Sequence, residues 1–282
     1  VTEDGKNYFN FSGQLEFVET HEEYLGNVPA FDGTIKGVYD CANGAYSIFY
    51  KDATDASYAS YETTLKNDGY TLYTENAYGS NKYATYVKGD RLVHFYYVHE
   101  ARELRVIHGP NDTISTFVEN NAPGNVTPAV TVMPMTYTEA EGGGACIIYT
   151  LTDGTFFVVD GGWDNEASLL YTTLKALNDD TNGPDAPIVI SAWFLSHAHN
   201  DHATCIRQFA TNYGDKVKVN SIICNPVHEV QMSDRALVSH LDQEVLDSIR
   251  AKFKTTDGKT PALMMLHSGQ KLNIGGRSVV YS

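Results

Sequence analysis

Three imidazoles and one carboxylate fall within six positions of the stretch Phe194-Leu195-Ser196-His197-Ala198-His199-Asn200-Asp201-His202. Imidazole nitrogen and carboxylate oxygen are common ligands of catalytic zinc, which keeps one position open for water. In an extended segment alternate side chains point the same way, so His197, His199 and Asp201 share a side. His202 is expected to turn off at the start of a following helix. The set then divides into two groups, His197 with His199 for one ion and Asp201 with His202 for a second. Two ions about 3.5–4 Å apart hold an attacking hydroxide between them and clamp an electrophilic oxygen. The expected chemistry is metal-assisted hydrolysis. The bland alternative, a histidine-rich surface loop, does not account for the order of these residues between an apolar run and a helix.

Rigid elements must position such a set. Residues 188–195 form an apolar run that reads as a buried strand leading straight into the histidines. Upstream, residues 145–151 and 155–159 read as paired strands around Asp153-Gly154, the second ending in Asp160-Gly161-Gly162. A helix is expected from about residue 165 to 177, with Leu169, Leu170, Leu174 and Leu177 on one side, followed by a polar loop over 179–187. Gly142-Gly143-Gly144 lacks a following Lys-Ser/Thr or helix, so it reads as a flexible or close-packed turn rather than a phosphate cradle. After the histidines come a helix over 203–211, a strand over 217–224, a helix begun at Ser233 or Asp234, and a hairpin from 269 to 280. Strands alternating with helices indicate an α/β arrangement.

His197-Ala198-His199-Asn200-Asp201-His202 matches the H-x-H-x-D-H signature of the metallo-β-lactamase superfamily. Phe157-Val158-Val159-Asp160-Gly161-Gly162 resembles the first motif of that superfamily, and the spacing to His197 also fits. The resemblance covers roughly 126–282. It implies an αββα sandwich, here partial, with metals at one edge. It further implies His197 and His199 on a first metal, Asp201 and His202 on a second, and Asp160 behind them orienting ligands. Asp201 is also the candidate for positioning the attacking water. The cofactor expected is zinc, as two ions in a complete site, with iron or manganese as alternatives. The superfamily normally supplies further ligands downstream. His228, after Asn225-Pro226, and His267 are the additional candidates, while His240 reads as a surface residue of a helix. The later acidic motif is missing, so this chain is expected to be part of a longer enzyme, with a reduced relative carrying a weakened site as the alternative. The order of motifs looks closest to the phosphodiesterase and competence-protein-like branch, which favours ester and phosphodiester bonds. An iron-dependent oxidoreductase on the same fold, and a binding module with an inactive metal domain, are the alternatives.

Bulk properties bound the rest. The 282 residues suffice for one large or two ordinary domains, and 42% hydrophobic with 20% charged residues is a globular balance. The formal net charge of -15 opposes binding to nucleic acid. No run of about eighteen apolar residues is present, so no membrane span is expected. Cys41, Cys146, Cys205 and Cys224 form no CxxC pair and read as buried free thiols. The start at Val1-Thr2-Glu3 and the 19 tyrosines point to an extracellular or cell-envelope protein, with the cytoplasm as the alternative. The partner expected is a small-molecule or cell-envelope substrate.

The breaker cluster over 120–125 sets the expected boundary between an accessory α+β domain (1–125) and the metal-binding domain (126–282). Residues 1–31 read as a polar lead-in. In the first domain, residues 34–40 and 46–50 flank Asn43-Gly44, a hairpin signal. A helix capped by Asp55 or Ser57 carries Tyr58, Tyr61 and Leu65, and strands follow over 70–73, 83–87, 92–98 and 104–108. His94, His99 and His108 read as structural, since no ligand spacing accompanies them. The tyrosines are expected to pack the sheet rather than to bind sugars or peptides.

Overall fold

The computed structural model describes residues 28–40, 44–111, 120, 123–135, 137–138, 142–224, 241–264 and 271–280. They fall into two compact units, one drawn mainly from residues 1–115 and the other from 116–266 and 272–279.

In the first unit the strands are β1 (Thr34–Asp40), β2 (Tyr46–Lys51), β3 (Thr71–Tyr78), β4 (Asn81–Lys88), β5 (Arg91–Val98) and β6 (Glu103–Pro110). They make one antiparallel sheet in the order β1-β2-β6-β5-β4-β3. Gly44 takes φ 71, the left-handed conformation that the β1–β2 turn needs. Helix α1 (Asp55–Asn67) buries Tyr58, Tyr61 and Leu65, at the 3- and 4-residue spacing of one helix face. Tyr58 and Tyr61 lie 4.9 and 5.0 Å from the Phe95 ring, so these two tyrosines are packing groups, whereas Tyr73 and Tyr78 are exposed. The cap of α1 is Thr54, not Asp55 or Ser57. Its backbone is extended, its hydroxyl accepts from Ser57 N at 3.1 Å, and Ser57 Oγ accepts from Thr54 N at 2.8 Å. The reciprocal bonds satisfy two donors that the first turn leaves open. The lead-in through residue 27 and Cys41 lie outside the described residues.

The three histidines among the described residues of this unit hold separate polar contacts. His94 Nδ1 pairs with Thr85 Oγ1 at 2.8 Å, and His108 Nδ1 sits 3.0 Å from Arg91 Nη2. His99 Nδ1 is 3.6 Å from Asp55 Oδ2.

In the second unit a mixed sheet is built from β7 (Ala129–Val132), β10 (Cys146–Thr150), β11 (Phe156–Asp160), β12 (Ile188–Phe194), β14 (Ser221–Ile223) and β15 (Ala262–Met264). Its order is β15-β14-β12-β11-β10-β7, with β13 (Val217–Val219) also pairing β12. The run expected as one strand over 217–224 is two strands interrupted at Asn220, whose N–H donates back to Ile190 O. The triglycine is not a turn throughout: β9 (Gly142–Gly143) pairs β8 (Tyr137–Thr138). A 3₁₀ turn (Asp164–Glu166) leads into α2 (Ala167–Asn182), which takes in the first part of the expected polar loop. Asn182 Nδ2 donates to Gly154 O and Asn178 Nδ2 to Ala186 O, which offsets the low helix propensity of this segment.

Helices α3 (Asn200–Ala203), α4 (Cys205–Tyr213) and α5 (Gln243–Ala251) complete the described elements, with the strand pair β16 (Lys271–Ile274) and β17 (Arg277–Val280). Helix α5 is capped by Asp242, whose Oδ1 accepts from Val245 N at 2.8 Å. Ser233 and Asp234 lie outside the described residues. Leu170, Leu174, Phe209 and Leu246 from the helices share one core with Ile148, Val158, Ile190 and Trp193 from the sheet. Each such fully buried side chain contributes roughly 1.5–3 kcal/mol. Cys146, Cys205 and Cys224 are buried free thiols.

Strand β11 runs parallel to β12, with Val159 opposite Phe194, and α2 makes the crossover between them. The carboxyl ends of both strands therefore finish at one edge. Asp160 arrives there beside Leu195 and Ser196, the usual place for ligand-bearing residues in an open α/β sheet.

Candidate metal centre

Asp160 ends β11 with φ 58, a left-handed conformation that is strained for a residue with a side chain. The surroundings hold it there. Its carbonyl accepts from Trp193 Nε1 at 2.9 Å inside the core. Asp160 is 4% exposed, and its carboxylate carries three hydrogen bonds. Oδ1 accepts from Ser196 N at 2.8 Å, and Oδ2 accepts from Ser196 Oγ at 2.8 Å and pairs with His202 Nδ1 at 2.8 Å.

Backbone bonds fasten the histidine segment to the same turn. Ala145 N donates to Asp201 O, Gly161 N to His202 O, and Cys205 N to Gly162 O, at 3.0–3.1 Å. Gly144 permits this approach: a Cβ there would stand 2.8 Å from Asp201 O and 2.9 Å from Gly162 Cα. The helix starts earlier than the alternating pattern implies. His199 caps it with extended backbone, and its carbonyl accepts from His202 N and Ala203 N. Asp201 is accordingly helical and does not continue the alternation of His197 and His199.

The side chains still gather. The His197 ring lies 4.1 Å from that of His202 and 4.6 Å from that of His199, centre to centre. Asp201 Oδ2 is 3.5 Å from His202 Nε2. His197 and His199 are exposed, whereas Asp201 and His202 are half-buried, so the cluster opens to solvent on one side. Partial burial, then the neighbouring imidazoles of His202 and His199, hold His197 below the ordinary imidazole range, against the opposing pull of Asp160 and Asp201. A neutral imidazole offers a lone pair to an ion.

The donor set fits a divalent ion in its chemistry: neutral imidazole and carboxylate, open on one side. A tetrahedral ion with bonds of about 2.0–2.1 Å keeps its ligand atoms about 3.3–3.4 Å apart, and the Asp201–His202 pair has that separation to within a fraction of an ångström. Among the described residues, no group of three or more His, Cys, Asp and Glu is arranged to hold an ion. His228, His240 and His267 lie outside the described residues. Ser196, immediately before the first histidine, and Gly144, in the triglycine, belong to this corner without carrying a ligand-type signal in the sequence.

Comparison with known proteins agrees with this corner of the fold. Residues 140–270 match the family model of the Metallo-beta-lactamase superfamily, a span that includes Asp160, β12 and the whole histidine cluster. That superfamily consists mostly of hydrolytic enzymes and generally binds divalent metals such as zinc. No curated protein and no solved structure matches the chain. No helix among the described residues is long and apolar enough to cross a membrane.

Proposed function

We propose, with the superfamily match over residues 140–270 as premise, that this chain is a metal-dependent hydrolase acting on ester or phosphodiester bonds. The observation that carries the reading is the approach of Asp201 Oδ2 to His202 Nε2 at 3.5 Å, while the other nitrogen of His202 is held by Asp160. In this reading His197 and His199 hold one ion and Asp201 and His202 a second, zinc being the expected metal. Such ions, when bound, supply Lewis acidity toward the scissile group and acidify a water. The chain's own residues do the remainder. Asp160 orients His202 from behind, as carboxylate partners of metal-bound histidines do. Asp201, half-buried at the mouth of the cluster, positions the attacking water and accepts its hydrogen bond. The net charge of -15 favours small substrates over long polyanions. Residues 1–125 serve as an accessory domain, and an extracellular or cell-envelope setting suits the composition.

The test is metal analysis of the protein purified with supplemented zinc, alongside His199→Ala, and turnover of bis(p-nitrophenyl) phosphate and p-nitrophenyl acetate. Bound zinc that falls in the variant, together with zinc-dependent turnover of either substrate, is the expected result. A metal-free wild type that turns over neither overturns the reading. Iron retained in place of zinc, with oxygen uptake on a thiol substrate, replaces hydrolysis by the oxidoreductase alternative.

A further inference from the structure

Among the described residues Ser196 Oγ has two polar neighbours, Asp160 Oδ2 at 2.8 Å and His197 Nδ1 at 2.9 Å, and it has only one hydrogen to give. Asp160 Oδ2 also faces His202 Nδ1 at 2.8 Å. An ionised carboxylate only accepts. Both of its neighbours must therefore donate to it, which places the hydroxyl hydrogen of Ser196 on Asp160 and a hydrogen on Nδ1 of His202. The hydroxyl has none left for His197. The 2.9 Å contact is satisfied only if His197 Nδ1 carries a hydrogen and donates it to Ser196 Oγ.

We propose that Ser196 is a positioning residue, a relay through which one buried carboxylate sets both His197 and His202 as Nδ1–H tautomers and leaves the lone pair of each ring on Nε2, which in His202 lies 3.5 Å from Asp201 Oδ2. Histidine free in water prefers the opposite tautomer, so the bias is imposed by the fold. Among the described residues no such relay reaches His199. The main-chain bond from Ser196 N to Asp160 Oδ1, at 2.8 Å, keeps the hydroxyl in register with the carboxylate. The proton arrangement holds for the metal-free protein. Its consequence for ion binding rests on the metal-dependent reading above.

Two-bond ¹H–¹⁵N correlation spectra of the metal-free protein, recorded with the imidazoles neutral, read the tautomers directly. His197 and His202 are each assigned by the disappearance of one spectrum in His197→Gln and His202→Gln. The expected result is an Nδ1–H pattern for both. In Ser196→Ala His197 reverts to the Nε2–H pattern while His202 keeps Nδ1–H; in Ser196→Thr, which retains the hydroxyl, His197 stays Nδ1–H. An Nε2–H pattern for His197 in the wild type overturns the proposal, as does an unchanged His197 in Ser196→Ala. If Ser196→Ala does not fold, the wild-type spectrum and Ser196→Thr decide it. Zinc titration separates the two claims: Ser196→Ala is expected to bind about 10- to 100-fold more weakly and Ser196→Thr like the wild type. The tautomers found without any zinc uptake support the proposal and remove the metal reading. Zinc uptake with His197 as Nε2–H removes the proposal and leaves the metal reading standing.

Discussion

His202 Nδ1 and Asp160 Oδ2 lie 2.8 Å apart although 42 residues separate them in the chain. The contact joins the carboxyl end of β11 to the helix that follows β12. It makes Asp160 the group on which the placement of the histidine cluster depends.

Removing that carboxylate strands three donors at once: the N–H and O–H of Ser196 and the Nδ1–H of His202. Each donor left unsatisfied at a buried site costs about 1–3 kcal/mol, partly relieved by water here. Asp160→Ala is expected to lower unfolding free energy by about 3–5 kcal/mol in urea titration. Asp160→Asn keeps one acceptor and tolerates φ 58, so it loses less. A wild-type urea midpoint for Asp160→Ala refutes the clamp.

Gly144 has no room for a methyl group beside Asp201 O and Gly162 Cα. Both neighbours are backbone and cannot swing away. Gly144→Ala is expected to cost about 1–3 kcal/mol and to weaken zinc retention, because Asp201 is the residue displaced. Gly183, with φ 95 and open space around it, is the control: Gly183→Asn is expected to leave metal retention unchanged.

The reciprocal cap on α1 makes a prediction that separates Thr54 from its neighbour. Thr54→Ala removes the acceptor for Ser57 N and is expected to cost about 1 kcal/mol. Asp55→Ala removes an exposed charge in the first turn that pairs with Lys82 and lies 3.6 Å from His99, and is expected to cost less than Thr54→Ala. Equal losses in thermal unfolding of the two variants contradict the assignment.

The buried thiols bear on alkaline stability. Burial, reinforced by Asp160, pushes Cys146 and Cys224 up to about 12, and burial also raises Cys205. An ordinary thiol in the unfolded chain ionises near pH 9. Below that pH neither state is ionised and the full stability is present. Between about pH 9 and 12 only the unfolded chain loses protons, so each of the first two thiols erodes stability by up to about 1.4 kcal/mol per pH unit. In a Cys41→Ser background, iodoacetamide at pH 8 is expected to label none of the three in the native protein and all of them in urea. Urea midpoints are expected to fall steeply above pH 9, and a flat midpoint from pH 9 to 11 contradicts the thiol burial.

Short-range features were legible in the amino-acid order. Three histidines and an aspartate within six positions, preceded by a buried apolar run, identify the candidate ligands whatever the rest of the chain does. The hairpin at Gly44, the buried face of α1 and the Asp160-Gly161-Gly162 strand end are equally local, since turn chemistry and 3.6-residue periodicity act over a few residues. Element ends were less so. Thr54, Asp55 and Ser57 can all cap a helix, and only the extended backbone of Thr54 selects it. The alternation of His197, His199 and Asp201 fails at Asn200 because His202 N and Ala203 N find the His199 carbonyl. What tertiary structure alone decided is the particular set of bonds between these residues. Parallel pairing of β11 with β12 brings Asp160 to Ser196 across 36 residues, and Gly144 lets the main chain of Asp201 close against it. Such contacts depend on register and strand order, which the whole sheet sets and which no local spacing in the sequence encodes.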